Sequence, residues 1–129
     1  MAKAKIKLEK IDSEYIFEPK NNVDLLGRVS SVGVEKILPS GDKVVEFRII
    51  VDRGIHARKD GQGKTRKVKR EVDSLDIAAW SASTRRSALT LKIDQWIEIT
   101  GAVRRRFWQA PSGLASRWQV EAHSISKLS

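Results

Sequence analysis

The strongest constraint on the fold is a two-residue alternation of apolar and polar side chains that recurs along most of the chain. In "VVEFRIIVD", Val45, Phe47, Ile49 and Val51 fall on one side, and Glu46, Arg48, Ile50 and Asp52 on the other. Successive side chains of a strand point to opposite faces, so this is the pattern of a strand with one face in a core. "SLDIAAW" repeats it, with Leu75, Ile77 and Ala79 inward and Ser74, Asp76, Ala78 and Trp80 outward. Upstream, Val23, Leu25 and Val29 read as inward positions of a first strand, and Gly27 within it predicts a bulge or sharp bend. "LPSGDK" is a turn by its Pro and Gly.

Only "SASTRRSALTLK" suits a helix, a short one capped by Ser81 or Ser83. Beyond it, "QWIEITGAVRRRFW" predicts a long strand with Ile97, Ile99 and Val103 inward, "QAPSGLAS" a turn, and "RWQVEAHSISKL" a last strand. About five strands with one helix between the third and fourth predict an all-β fold: a five-stranded Greek-key barrel of the OB type, whose loops and one outer face bind oligonucleotides. Between the second and third strands, "RGIHARKDGQGKTRKVKREVD" is a long basic β-hairpin loop. Residues 1–20 form an N-terminal arm and residues 21–129 the barrel domain. In the arm, Ile6 and Leu8 alternate with lysines, and Tyr15, Phe17 and Pro19 follow. An added edge strand, a surface packed on a partner and a partly disordered leader all fit it.

The formal net charge is +9, with 32% charged residues, which favours polyanions, nucleic acid ahead of acidic membrane surfaces. The chain contains no cysteine, which excludes disulfides, thiolate zinc sites and cysteine nucleophiles and suits a reducing compartment. No apolar run approaches the ~20 residues of a membrane span. The lysines near the N-terminus precede no hydrophobic stretch, so a secretory signal is not expected. A cytoplasmic, nucleoid-associated protein follows as the expectation. His56 and His123 are isolated, the carboxylates are scattered, and "GQGK" lacks the spacing of a phosphate loop. Neither an enzyme nor a metal or other cofactor is expected.

The parity of the fourth strand points to a site. With Val103 inward, Arg105 and Phe107 share its side, while Arg104, Arg106 and Trp108 lie on the outward side with Trp80. Arginines neutralise phosphates, and an exposed indole stacks on an unpaired base of any identity. A subunit interface also prefers Trp and Arg. Trp118 shares a side with Val120 and Ala122, which predicts core or interface, and Trp96 is expected at an outer edge or subunit contact. The expected DNA-binding set is Trp80, Trp108, Arg104, Arg106, Arg48, Arg53, Ile55, Lys64, Arg66, Lys67, Lys69 and Arg70. The last five form a basic finger that tracks phosphates or a solvated loop.

From Asn21 to Leu128 the chain resembles the bacterial single-stranded DNA-binding protein family. The resemblance rests on "NNVDLLGRVSS", "LPSGDKVVEFRIIVDR", "DIAAWSAS", "ITGAVRRRFW" and "RWQVEAHSI" in order. It implies an OB fold, usually a homotetramer, that wraps single strands without sequence preference in replication, recombination or repair. Of four recurrent stacking places, Trp108 fills one and Trp80 another that is commonly Phe. The other two fall near Ile55 and Ser74, and Asp76 stands where a basic residue is common. The sequence stops at "SISKLS", short of the family's acidic tip; either recruitment of partners by that route is not expected, or the linker and tip lie outside this sequence. Two further readings stay open: a dimeric replication-restart adaptor of the primosomal replication protein N type, and an RNA-binding OB domain.

Overall fold

The computed structural model describes residues 16–54, 57–59, 65–67 and 71–129. Strands β1 (Val23–Ile37), β2 (Lys43–Asp52), β5 (Val72–Ala79), β6 (Trp96–Ala110) and β7 (Gly113–Lys127) close into one barrel in the order β1-β2-β5-β7-β6. Strands β3 (Ala57–Lys59) and β4 (Thr65–Lys67) pair as a small separate ribbon between β2 and β5. All barrel neighbours are antiparallel except β5 and β7, which run parallel. This is the OB barrel expected from the sequence. The basic segment read there as a loop contains the three-pair β3–β4 ladder. Residues 1–15 of the expected arm lie outside the described residues.

The alternation read from the sequence sets the core. Ile49, Ile77, Ile97, Ile99, Val29 and Val45 are buried below 2% exposure. Phe47, Ala79, Ala88, Leu91, Val120 and Ala122 complete the cluster, with Val23, Leu25, Val51, Leu75 and Ile125 packed against it. Fully burying an aliphatic side chain of this size contributes roughly 1.5–3 kcal/mol. Closing five strands requires β1 to serve two neighbours. It pairs with β6 from Val23 to Arg28 and with β2 from Arg28 to Ile37. Gly27 sits at that handover, where a Cβ would lie 2.3 Å from the Ile50 carbonyl oxygen. Bulges follow between Val29 and Ser31 and between Ser31 and Val34.

Helix α1 (Ala82–Leu89) starts at Ser81, whose hydroxyl accepts from the Thr84 amide at 3.2 Å. Its buried side, Thr84 and Ala88, faces the barrel. No described helix is long and apolar enough to cross a membrane.

Of the three 15-residue strands, β6 and β7 overshoot the barrel. The β6–β7 ladder runs from Ile97↔Lys127 to Ala110↔Gly113, leaving only Pro111 and Ser112 as the turn. The sequence reading put the turn across "QAPSGLAS"; the strands continue through most of it. Val103 keeps its inward parity opposite Val120, yet it is 36% exposed because the core ends at that level. Beyond it the hairpin is a two-stranded ribbon whose core-side face is open, with Phe107, Leu114 and Trp118 exposed.

Candidate nucleic-acid interface

One outer face gathers side chains from β2, β5, β6 and β7. Residues paired across a ladder share a face, so Arg104 lies beside Gln119, Arg106 beside Arg117 and Trp108 beside Ala115. From β2 and β5 the same outward parity brings Glu46 opposite Ala78 and Arg48 opposite Asp76. Trp80, just past the end of β5, completes the row. Its ring lies 5.1 Å from the Arg106 guanidinium carbon, and that of Trp108 lies 6.0 Å from that of Arg117. Arg106 also shares a groove with Trp108, lined further by Lys36, Leu38, Val44, Glu46, Arg117 and Gln119. Val44, Ala78, Ala102 and Gln119 are buried although they have outward parity. Val44 and Gln119 line the groove with Lys36, Arg106 and Trp108, and Ala78 lines a neighbouring one with Trp80, Arg104 and Arg106; long side chains of this kind can cover apolar surface with their stems while the charged heads stay in water.

The arginines on this strip are partly neutralised from within. Arg48 Nε donates to Asp76 Oδ1 at 2.9 Å, and Arg104 Nε to Glu121 Oε2 at 2.8 Å. Glu46 holds the centre: Lys36 Nζ is 2.6 Å from Oε1, Arg106 Nη1 is 3.7 Å from Oε2, and Gln119 Nε2 donates to Oε2. Partial burial pushes the Glu46 carboxyl up. The hydrogen bonds from Lys36 and Gln119, with the charges of Lys36 and Arg106, outweigh burial and leave it below the ordinary carboxylate value. Among the described residues Arg117 has no carboxylate partner; its contact is the Trp108 ring. The strip therefore offers two indoles, one unpaired guanidinium, and several cations that an incoming phosphate must share with a carboxylate.

Trp80, Trp108, Arg48, Arg104 and Arg106 are thus brought together on the face that the parity argument predicted. Arg53 is placed differently. It binds Glu71 and Asp73 at 2.6 and 2.7 Å, and Asp73 has the core-side parity of Leu75 and Ile77. Hydrogen bonding to Asp73, the charge of Asp73 and the weaker pull of Glu71 raise the Arg53 pKa above its ordinary value. Ile55, Lys64, Lys69 and Arg70 lie outside the described residues; for Arg66 and Lys67 the β4 backbone is described and the side chains are not. Trp118 corrects an expectation: it is no core residue but 61% exposed, because its inward parity falls beyond the end of the core. Trp96 is 39% exposed on the outer side of β6, 5.7 Å from the Arg28 guanidinium.

Sequence reasoning missed Arg117, Lys36 and, Asp76 apart, the carboxylates that pair with the strip's cations. Arg117 was reachable by counting back from the turn, since Ala110↔Gly113 pairing sets Arg117 opposite Arg106. The Glu46 contacts join β1, β2, β6 and β7, and no local pattern encodes such a meeting.

A closed five-stranded barrel that exposes indoles among arginines on one face defines an oligonucleotide-binding protein of the OB class. The model of the single-strand binding protein family matches residues 20–128, and the chain belongs to that family. Single-stranded DNA binding is the function that this membership carries. A search of curated proteins gives no match. Among solved structures, the chain is similar to a Plasmodium falciparum SSB in complex with ssDNA, at 19% identity and a TM-score of 0.66 over 88% of this chain and 98% of that one. It is also similar to a deletion mutant of the single-stranded DNA-binding protein from Thermus aquaticus, at 22% identity and a TM-score of 0.62 over 85% of this chain and 51% of that one. At these identities both likenesses speak for the fold.

Proposed function

We propose that single-stranded DNA lies across the β2–β5–β7–β6 face without sequence preference, with bases stacked on Trp80 and Trp108. The observation that carries this reading is the meeting of both indoles around Arg106, from segments 28 residues apart in the chain. In the free protein a guanidinium covers each ring. A base that takes its place releases that arginine toward the neighbouring phosphate. Arg48, Arg104, Arg106 and Arg117 hold the backbone on the strip. Ile55, Lys64, Arg66, Lys67, Lys69 and Arg70 extend the contact along the β3–β4 segment, with Arg53 at its root. The protein acts by binding alone, without a catalytic step. It protects single strands during replication, recombination or repair in the cytoplasm, at the nucleoid. It works as a homo-oligomer, for which Leu26 and Trp96, exposed together on the outer side of the β1–β6 pair, are the proposed contact.

Tryptophan-fluorescence titration with poly-dT, poly-rU and duplex DNA at two salt concentrations tests the reading. Quenching by poly-dT, little response to duplex and a log–log salt slope of about −0.7 per phosphate are expected. Trp108→Ala and Trp80→Ala should each weaken binding by about 1–3 kcal/mol. Salt-sensitive binding that neither substitution changes would remove the indoles from the site.

A further inference from the structure

The reverse side of the β6–β7 ribbon carries a second aromatic cluster that the front strip does not use. Arg105 pairs across the ladder with Trp118, and Phe107 with Ser116, so all four share one face. The Arg105 guanidinium carbon lies 5.2 Å from the Phe107 ring centre and 5.4 Å from that of Trp118. Its Nε and Nη2 donate to Ser116 Oγ at 3.2 and 3.0 Å. The rings remain open, with Phe107 58% and Trp118 61% exposed. Rings of this size each carry roughly 150–250 Å² of surface, and leaving two side by side in water is unfavourable unless something covers them.

The charge pattern says what covers them. Arg48, Arg53, Arg104 and Arg106 each have a carboxylate within 4 Å. Arg105 has, among the described residues, only a hydroxyl and two rings, so its charge is unanswered. A second copy packed symmetrically on this face would set Arg105 toward Arg105, with no described carboxylate on the face to compensate. An apolar peptide would bury the cation unpaired. A nucleotide supplies both complements, a flat base for the rings and a phosphate for the guanidinium.

We propose that Arg105, Phe107 and Trp118 form a second stacking subsite for single-stranded nucleic acid, on the face of the hairpin opposite Trp108. The strand leaves Trp108, passes over the ribbon edge and continues on the reverse side. Phe107 and Trp108 are consecutive residues on opposite faces, and the two strands of a ribbon lie only about 5 Å apart, so the crossing is short. This subsite rests on the front strip being the primary site, and it serves only strands long enough to turn the edge.

The test uses the full chain and labelled oligo-dT of graded length, read by fluorescence anisotropy. Phe107→Ala and Trp118→Ala should leave the shortest binding oligomer unaffected and weaken long oligomers about fivefold or more. Trp118→Phe should keep most of the long-oligomer affinity. Arg105→Gln should reduce the long-oligomer salt slope by about 0.7. In the unaltered protein, photocrosslinking to 5-iododeoxyuridine oligomers should label Phe107 or Trp118. Unchanged long-oligomer affinity in both alanine variants, while Trp108→Ala weakens every length, overturns the subsite and leaves the front site standing. Crosslinks confined to Trp80 and Trp108 do the same. A smaller DNA-free species by sedimentation in Trp118→Ala would assign the face to contact between copies and overturn the proposal. Failure of the unaltered protein to bind any length would overturn both sites together.

Discussion

Replacing Glu46 with Gln tests whether the binding strip is restrained by its own carboxylates. Glu46 Oε1 is 2.6 Å from Lys36 Nζ, and Oε2 is 3.7 Å from Arg106 Nη1. The isosteric amide keeps the side chain's volume and removes its charge, so both cations become available to DNA. If each then neutralises one further phosphate, the log–log salt slope steepens by about 0.7 per phosphate, or about 1.4 in all. Over a fourfold rise in salt, from about 50 to about 200 mM, that is an added loss of about sevenfold in affinity relative to the unaltered protein. The variant should bind poly-dT more tightly at the lower salt and lose most of that advantage at the higher. Fluorescence titration at several salt concentrations reads both the slope and the crossover. An unchanged slope would refute the idea that Glu46 competes with phosphate. A shallower slope would mean that the carboxylate positions Lys36 and Arg106 for binding instead of withholding them.

Three stability predictions follow from the same geometry. Gly101→Ala places a Cβ 1.9 Å from the Glu121 carbonyl oxygen, where only backbone can give way; overpacking of this kind costs about 1–3 kcal/mol or more, read as a lowered urea midpoint. Ile77→Ala removes a side chain that is fully buried, and a loss of about 2–5 kcal/mol is expected in the same assay. The Glu46 carboxyl titrates below its ordinary range in the folded chain, burial opposing and the Lys36, Gln119 and Arg106 contacts prevailing. Its contribution to stability is therefore complete above the unfolded-state pKa and is lost as pH falls through the lower folded value. Thermal melts of the unaltered protein and Glu46→Gln should differ at neutral pH and converge in acid; a gap that persists in acid would contradict this linkage.

Much of this protein follows from local pattern. A period of two, interrupted by Gly and Pro, names the strands because side chains on a strand have no choice but to alternate. The same rule put Trp80, Arg104, Arg106 and Trp108 on one side before any contact was known. Ser81 and Ser83 both offered themselves as caps because a serine before a helical run can satisfy an otherwise unpaired amide, and the structure chose Ser81. Tertiary structure decided where alternation stops meaning burial. Val103, Arg105, Phe107 and Trp118 all have core-side parity, but parity gives a direction only, and whether a core lies in that direction depends on where the other strands end. The ion pairs were likewise decided in three dimensions. Glu46, Lys36, Arg106 and Gln119 come from four strands, and Arg48 meets Asp76 only because β2 and β5 align in that register. A sequence shows the sign and number of charges, but the distance that sets each one's partner exists only once the barrel has closed.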